Sequence, residues 1–268
     1  MSAIRLGWWV VSLAVVVFLV APLGVIIPLS FSEGSFLHFP LPGVGLRWYR
    51  ALFASEFWLA ALWNSLGIGL AATALATALG TLAAIGLWRA AIPGSAAIMA
   101  ILLSPMVVPS IITAVALTFA YAPLGLASTH AGLVIAHALL ASPFVVVTVG
   151  ATLSQFDRTL LRAAAACGAG PVAAFLRVML PIILPGVVAG AVFAFATSLD
   201  ESVVVLFLAG PSQRTLPRQM FAGLKDTIEL TILAAATMLT LLSLVLMVLV
   251  RVLSARTARA RAPVPEAA

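Results

Sequence analysis

Apolar residues run along this chain in six long blocks, separated by short breaks rich in polar residues, glycine or proline. The blocks lie at about Leu6–Leu29, Leu62–Trp88, Ala96–Ala120, Ala131–Leu153, Pro181–Phe207 and Leu230–Leu253. Each reaches the roughly 20 apolar residues that a helix needs to cross a bilayer, so the pattern predicts six membrane spans. The first block follows Arg5. A secretory signal has an apolar core of only ~7–15 residues and a small-residue cleavage site. This block is longer, and Ser30-Phe31-Ser32 is a weak site, so it reads as a retained span. The loop Glu33–Phe57 and the residue after it carry Trp48, Tyr49, Phe53 and Trp58, side chains suited to a membrane–water boundary. Pro105, Pro109 and Pro143 fall inside blocks and predict kinks.

Composition strengthens this reading. Of 268 residues, 63% are hydrophobic and 8% charged, with a mean hydropathy of +1.22. A soluble domain carries about 25% charged residues, so too little polar surface exists here to face water all round. The expected fold is all-α: a polytopic membrane helical bundle in one domain over residues 1–255, set in a lipid bilayer. The Arg-, Ala- and Pro-rich tail 256–268 is expected to be a disordered cytoplasmic end. The net charge of +6 comes from scattered residues with no basic face, which argues against a nucleic-acid partner. Cys167 is the only cysteine, so no disulfide forms within the chain.

Basic residues in short loops set orientation. With both termini in the cytoplasm, the inner segments hold Arg5, Arg89, Arg158, Arg162, Arg177, Arg251, Arg256, Arg259 and Arg261. The outer loops hold Arg47, Arg50, Arg214, Arg218 and Lys225, and also Glu33, Glu56, Asp226 and Glu229.

On this topology residues 154–180 form the longest cytoplasmic connection between spans. Asp157 is placed to cap a helix whose apolar positions Leu160, Leu161, Ala164 and Cys167 recur at helical spacing. Gly168 and Gly170 stop it, and Pro171 suits the first turn of a second short helix bearing Phe175, Val178 and Met179. Pro181 then opens the fifth span. Two short helices joined by a glycine turn make a knob that can dock into a partner's groove.

The spacing here resembles the cytoplasmic signature of the permease subunits of binding-protein-dependent ATP-binding-cassette (ABC) importers: E-A-A, three residues, Gly, nine residues, I-x-L-P. This chain reads Arg162-Ala163-Ala164, three residues, Gly168, nine residues, Val178-Met179-Leu180-Pro181. Val replaces Ile, and Arg162 replaces the glutamate with reversed charge. Asp200-Glu201, Phe207-Leu208-Ala209-Gly210-Pro211 and Thr215-Leu216-Pro217 are similar to the spermidine/putrescine-type branch. The resemblance implies a type I importer (MetI-like) permease fold, with this loop coupling to a cleft of a separate ABC ATPase dimer. It also implies a periplasmic solute-binding protein and a second permease chain, with a heterodimer favoured. It implies an inner-membrane location and transport of a small solute, a polyamine-like cation favoured, by alternating access.

No phosphate-binding G-x-x-x-x-G-K-[ST] occurs, and the only lysine, Lys225, lies in Gly223-Leu224-Lys225-Asp226. The chain is therefore expected to be no enzyme and to carry no cofactor, with ATP and Mg on the partner ATPase. Asp200 and Glu201 have two readings: a carboxylate pair attracting a cation near the outer entrance, or an interfacial helix end or subunit-contact charge. His130 and His137 are seven residues apart, roughly 10.5 Å along a helix, too far to share a zinc with ~2.0–2.1 Å bonds. His137 reads as a donor between helices, His130 as a loop residue, and Asn64 as a packing residue. An intramembrane protease would need H-E-x-x-H or a paired serine, and neither is present. A secondary transporter is the alternative, but no clear internal repeat of that class is seen.

Overall fold

The computed structural model describes residues 3–89, 92–226 and 230–260, and among them the architecture is helical. The helices are α1 (Ala3–Ser30), α2 (Arg47–Ala54), α3 (Glu56–Arg89), α4 (Ser95–Val107), α5 (Ser110–Tyr121), α6 (His130–Leu153), α7 (Thr159–Ala166), α8 (Pro171–Ala174), α9 (Leu180–Asp200), α10 (Val203–Leu208), α11 (Leu216–Asp226) and α12 (Thr231–Ala260). Five helical stretches are long and apolar enough to cross a membrane; the bent pair α4–α5 makes a sixth if it counts as one span.

The third expected span is not one straight helix. α4 and α5 meet at 105°. Pro109 has no N–H to continue α4, and it pushes the preceding residue away from helical backbone; Val108 is accordingly extended at φ −71°, ψ 128°. The fifth block also departs from expectation at both ends. Its helix begins upstream, because α8 passes through a π-helical turn, Phe175–Met179, directly into α9. It ends at Asp200, not Phe207, and α10 follows after an extended Glu201. The last helix continues to Ala260, into the stretch read as a tail; residues 261–268 lie outside the described residues.

The chain divides into two compact units, residues 1–59 with 219–242 and residues 60–218 with 243–268. In the first, α1 is almost wholly exposed, with Trp8 and Phe18 uncovered. At its last residue the Ser30 hydroxyl meets the Tyr49 hydroxyl at 2.8 Å, and beyond it Arg47 Nη1 donates to the Glu33 carbonyl at 3.1 Å. In the second unit, α3, α6 and α9 bury Ala72, Ala76, Ala141, Val145, Val149, Ile183 and Ala194 in one cluster. A second cluster joins Ile68 of α3, Ala114 and Tyr121 of α5, Leu133 and Ala136 of α6, and Val204 and Val205 of α10. Small residues let α9 approach α6 closely. Gly186, Gly190, Ala194 and Ser198 recur every four residues on one face of α9, and all are buried. A Cβ on Gly186 would sit 2.9 Å from the Thr148 carbonyl, and one on Gly190 would sit 3.0 Å from the Val145 Cα.

Candidate functional site

The segment 154–180 folds as a cap, a helix, a left-handed stop and a second helix. Asp157 accepts the Thr159 N–H at 2.8 Å and the Thr159 hydroxyl at 2.6 Å, which fixes the first turn of α7. These bonds, with Arg162 as a further contributor, hold the exposed Asp157 carboxyl below its ordinary value. α7 ends in paired bonds: Ala169 N–H to the Ala164 carbonyl at 3.0 Å and Gly168 N–H to the Ala165 carbonyl at 2.9 Å. That pairing needs a left-handed residue at Gly168, whose φ is +83°. Gly170 is then extended and Pro171 occupies the first turn of α8, whose Ala174 N–H bonds the Gly170 carbonyl at 2.9 Å.

The expected second short helix is not free-standing. Leu180 N–H reaches the Phe175 carbonyl, one residue further than in an α-helix, and the wide turn runs on into α9. The cause is local. Pro181 offers no N–H, and its ring would crowd the carbonyl four residues back in a regular helix. The segment is also fastened to α3: Arg158 donates to the Trp88 carbonyl and stacks 4.5 Å over the Trp88 ring, which meets Phe156 edge-on at 5.5 Å.

Of the signature positions, Arg162, Ala163, Gly168 and Pro181 are exposed and Ala164 is half-buried. Val178 and Leu180 pack on the cluster shared by α3, α6 and α9. The segment therefore presents one open surface and anchors its far end in the bundle.

Asp200 and Glu201 lie at the other end of α9 and part company there. Asp200 is exposed, whereas Glu201 is half-buried and its Oε1 accepts the Val204 N–H at 2.8 Å, capping α10. The histidines have separate duties. His137 is buried and its Nδ1 meets Ser198 Oγ at 2.7 Å, joining α6 to α9. His130 is the first residue of α6, not a loop residue, and its Nε2 meets Asn64 Oδ1 at 3.1 Å.

Sequence reasoning did not anticipate what Asn64 does with its other atom. Its Nδ2 donates to the carbonyls of Ser212 and Arg214 at 2.9 and 3.0 Å, while Ser65 Oγ accepts the Leu216 N–H at 2.7 Å. The loop after α10 is thereby held against α3 across about 150 residues of sequence. Arg218 secures the same loop through the carbonyls of Ala209 and Gly210. The adjacent polar pair Asn64-Ser65, set in an apolar helix, was the available signal.

Comparison with known proteins adds to this geometry. The family model described as "Binding-protein-dependent transport system inner membrane component" matches residues 78–259. The chain is 33% identical to the spermidine/putrescine transport system permease protein PotC of Haemophilus influenzae over 232 residues, covering 87% of this chain and 90% of that one. Its fold is similar to a chain of the bacterial alginate ABC transporter in complex with alginate pentasaccharide-bound periplasmic protein, with a TM-score of 0.71 at 17% identity over 94% of each chain. A chain of the inward-facing MetNI methionine ABC transporter matches with a TM-score of 0.58 at 20% identity, over 74% of this chain and 94% of that one.

Proposed function

Since the chain belongs to the family of binding-protein-dependent transport system inner membrane components, and is thereby the permease subunit of an ABC importer, we propose that it carries a polyamine-like cation inward by alternating access. The observation that carries the reading is the continuity of the signature segment with a spanning helix. From Pro171 to Asp200 the chain is one helical stretch of 30 residues, roughly 45 Å long. One end holds the segment expected to dock into the ATPase; the other holds an exposed carboxylate. A push on α7 and α8 moves such a rod as a whole, because α9 is packed on α6 through glycines that leave no slack.

In this scheme ATP and Mg bind the partner ATPase dimer, a periplasmic binding protein delivers the solute, and a second, different permease chain completes the path. Both termini lie in the cytoplasm, in keeping with the arginine distribution. Asp200 draws the cation to the outer mouth, and Glu201 shapes that mouth by capping α10. The substrate class is supported by the likeness to a spermidine/putrescine permease and by the exposed Asp200.

The test is reconstitution. The chain is copurified with its neighbouring gene products in a bilayer, and ATPase activity is measured with and without the solute-loaded binding protein. Stimulation by loaded binding protein, with uptake of labelled spermidine, is the expected result. Uptake that proceeds on an ion gradient with no ATPase present would overturn the reading in favour of a secondary carrier. Stimulation by another solute, with none by polyamines, would overturn the substrate alone.

A further inference from the structure

We propose that the groove between the end of α3 and the signature segment binds one anionic phospholipid, with Arg89 receiving its phosphate. The groove has a volume of about 420 Å³, inside the ~300–1,000 Å³ range of small-ligand sites. Its α3 wall is Leu82, Ile85 and Arg89, spaced to share one helix face; the opposite wall includes Leu161, Ala165 and Phe175. Every lining side chain is apolar except Arg89, which stands where α3 stops.

That order of polarity matches a lipid. With 34 residues, α3 is roughly 51 Å long and exceeds the ~30 Å hydrocarbon core. Its Trp88-Arg89 end suits the headgroup layer, and Ile85 and Leu82 lie one and two turns inward, toward the acyl chains. The charge is complementary to an anion. Arg89 at this end of α3 and Arg162 and Arg177 in the segment are exposed, and Arg158 lies over Trp88, while Asp157 is the one carboxylate within residues 154–180. Among the described residues no ion pair occupies Arg89. A peptide occupant fits less well. Its backbone would need hydrogen-bond partners along its length, and the lining offers only Arg89. Arg162 and Ala163, the α7 residues expected to face the ATPase, do not line the groove, whose α7 wall is Leu161 and Ala165.

This inference needs only a chain set in a bilayer, so its test is independent of transport. The full-length protein, released from membranes containing phosphatidylglycerol and phosphatidylcholine, is examined by native mass spectrometry. The expected result is retention of phosphatidylglycerol about tenfold over phosphatidylcholine. Arg89→Gln should abolish the preference, Arg89→Lys should keep most of it, and Ala165→Trp, which fills the groove, should lower retention of both lipids. Equal retention of the two lipids by the unaltered protein would overturn the proposal. So would a preference that survives both Arg89→Gln and Ala165→Trp, or a peptide found bound in place of lipid.

Discussion

At Gly168 the backbone φ of +83° is the whole reason for glycine, because a Cβ there would meet no atom within 4 Å. Gly168→Ala should therefore cost about 1 kcal/mol through left-handed backbone strain alone, and its effect should stay local to the end of α7. Hydrogen exchange at Ala169, whose amide closes the stop, is the measurement; unchanged protection would mean the turn is not held as described. Asp200 and Glu201, adjacent in sequence, should behave differently. Asp200→Asn removes an exposed charge and should raise the half-saturating spermidine concentration about fivefold, the equivalent of roughly 1 kcal/mol of attraction to a cation. Glu201→Ala removes the cap on α10 and should destabilise the fold by about 1 kcal/mol, visible as a lower melting temperature of the assembled complex. If the two variants affect uptake equally and stability not at all, the division of roles is wrong.

Between elements, the decisive contact is α6 against α9, and it gives a matched pair of substitutions. Gly186 and Gly150 are both helical glycines in this pair, yet a Cβ on Gly186 would strike Thr148 and Thr152, while one on Gly150 meets nothing within 4 Å. Gly186→Ala should reduce folded protein severalfold, and Gly150→Ala should leave it unchanged or slightly raised. Detergent-solubilised yield with fluorescence-detected size exclusion checks both; equal yields would remove the case for close helix approach. The His137–Ser198 bond lies in the same contact and, as an interhelical bond in a membrane, contributes only about 0.6 kcal/mol on average. The α7 cap, the Gly168 stop and Pro171 were readable in advance because glycine, proline and aspartate impose local backbone states. Glu201 was not, because a carboxylate at the end of an apolar block looks the same whether it caps a helix or meets a solute. The wide turn before Pro181 and the 105° bend at Pro109 show the same limit: proline announces a break, while its angle is set by what packs around it. The partnership of His130 with Asn64, 66 residues away, is purely tertiary and left no periodic trace.

For the whole molecule, one side chain can report on both topology and docking. Cys167 is the only cysteine, it is exposed, and it sits beside Gly168 at the tip between α7 and α8. A membrane-impermeant maleimide should label it in inside-out vesicles and not in intact cells if the topology proposed from the arginine pattern, with this tip in the cytoplasm, holds. With the partner ATPase bound, labelling should slow by at least tenfold, and a short bismaleimide should join Cys167 to a cysteine introduced in the ATPase cleft. The two halves of the experiment fail separately. Labelling from outside intact cells would invert the topology and with it the assignment of Asp200 to the outer mouth. Labelling from inside with no protection by the ATPase would leave the topology standing and remove the docking surface. Only when both hold does the α8–α9 rod connect a cytoplasmic push to an external carboxylate, as the proposed mechanism has it.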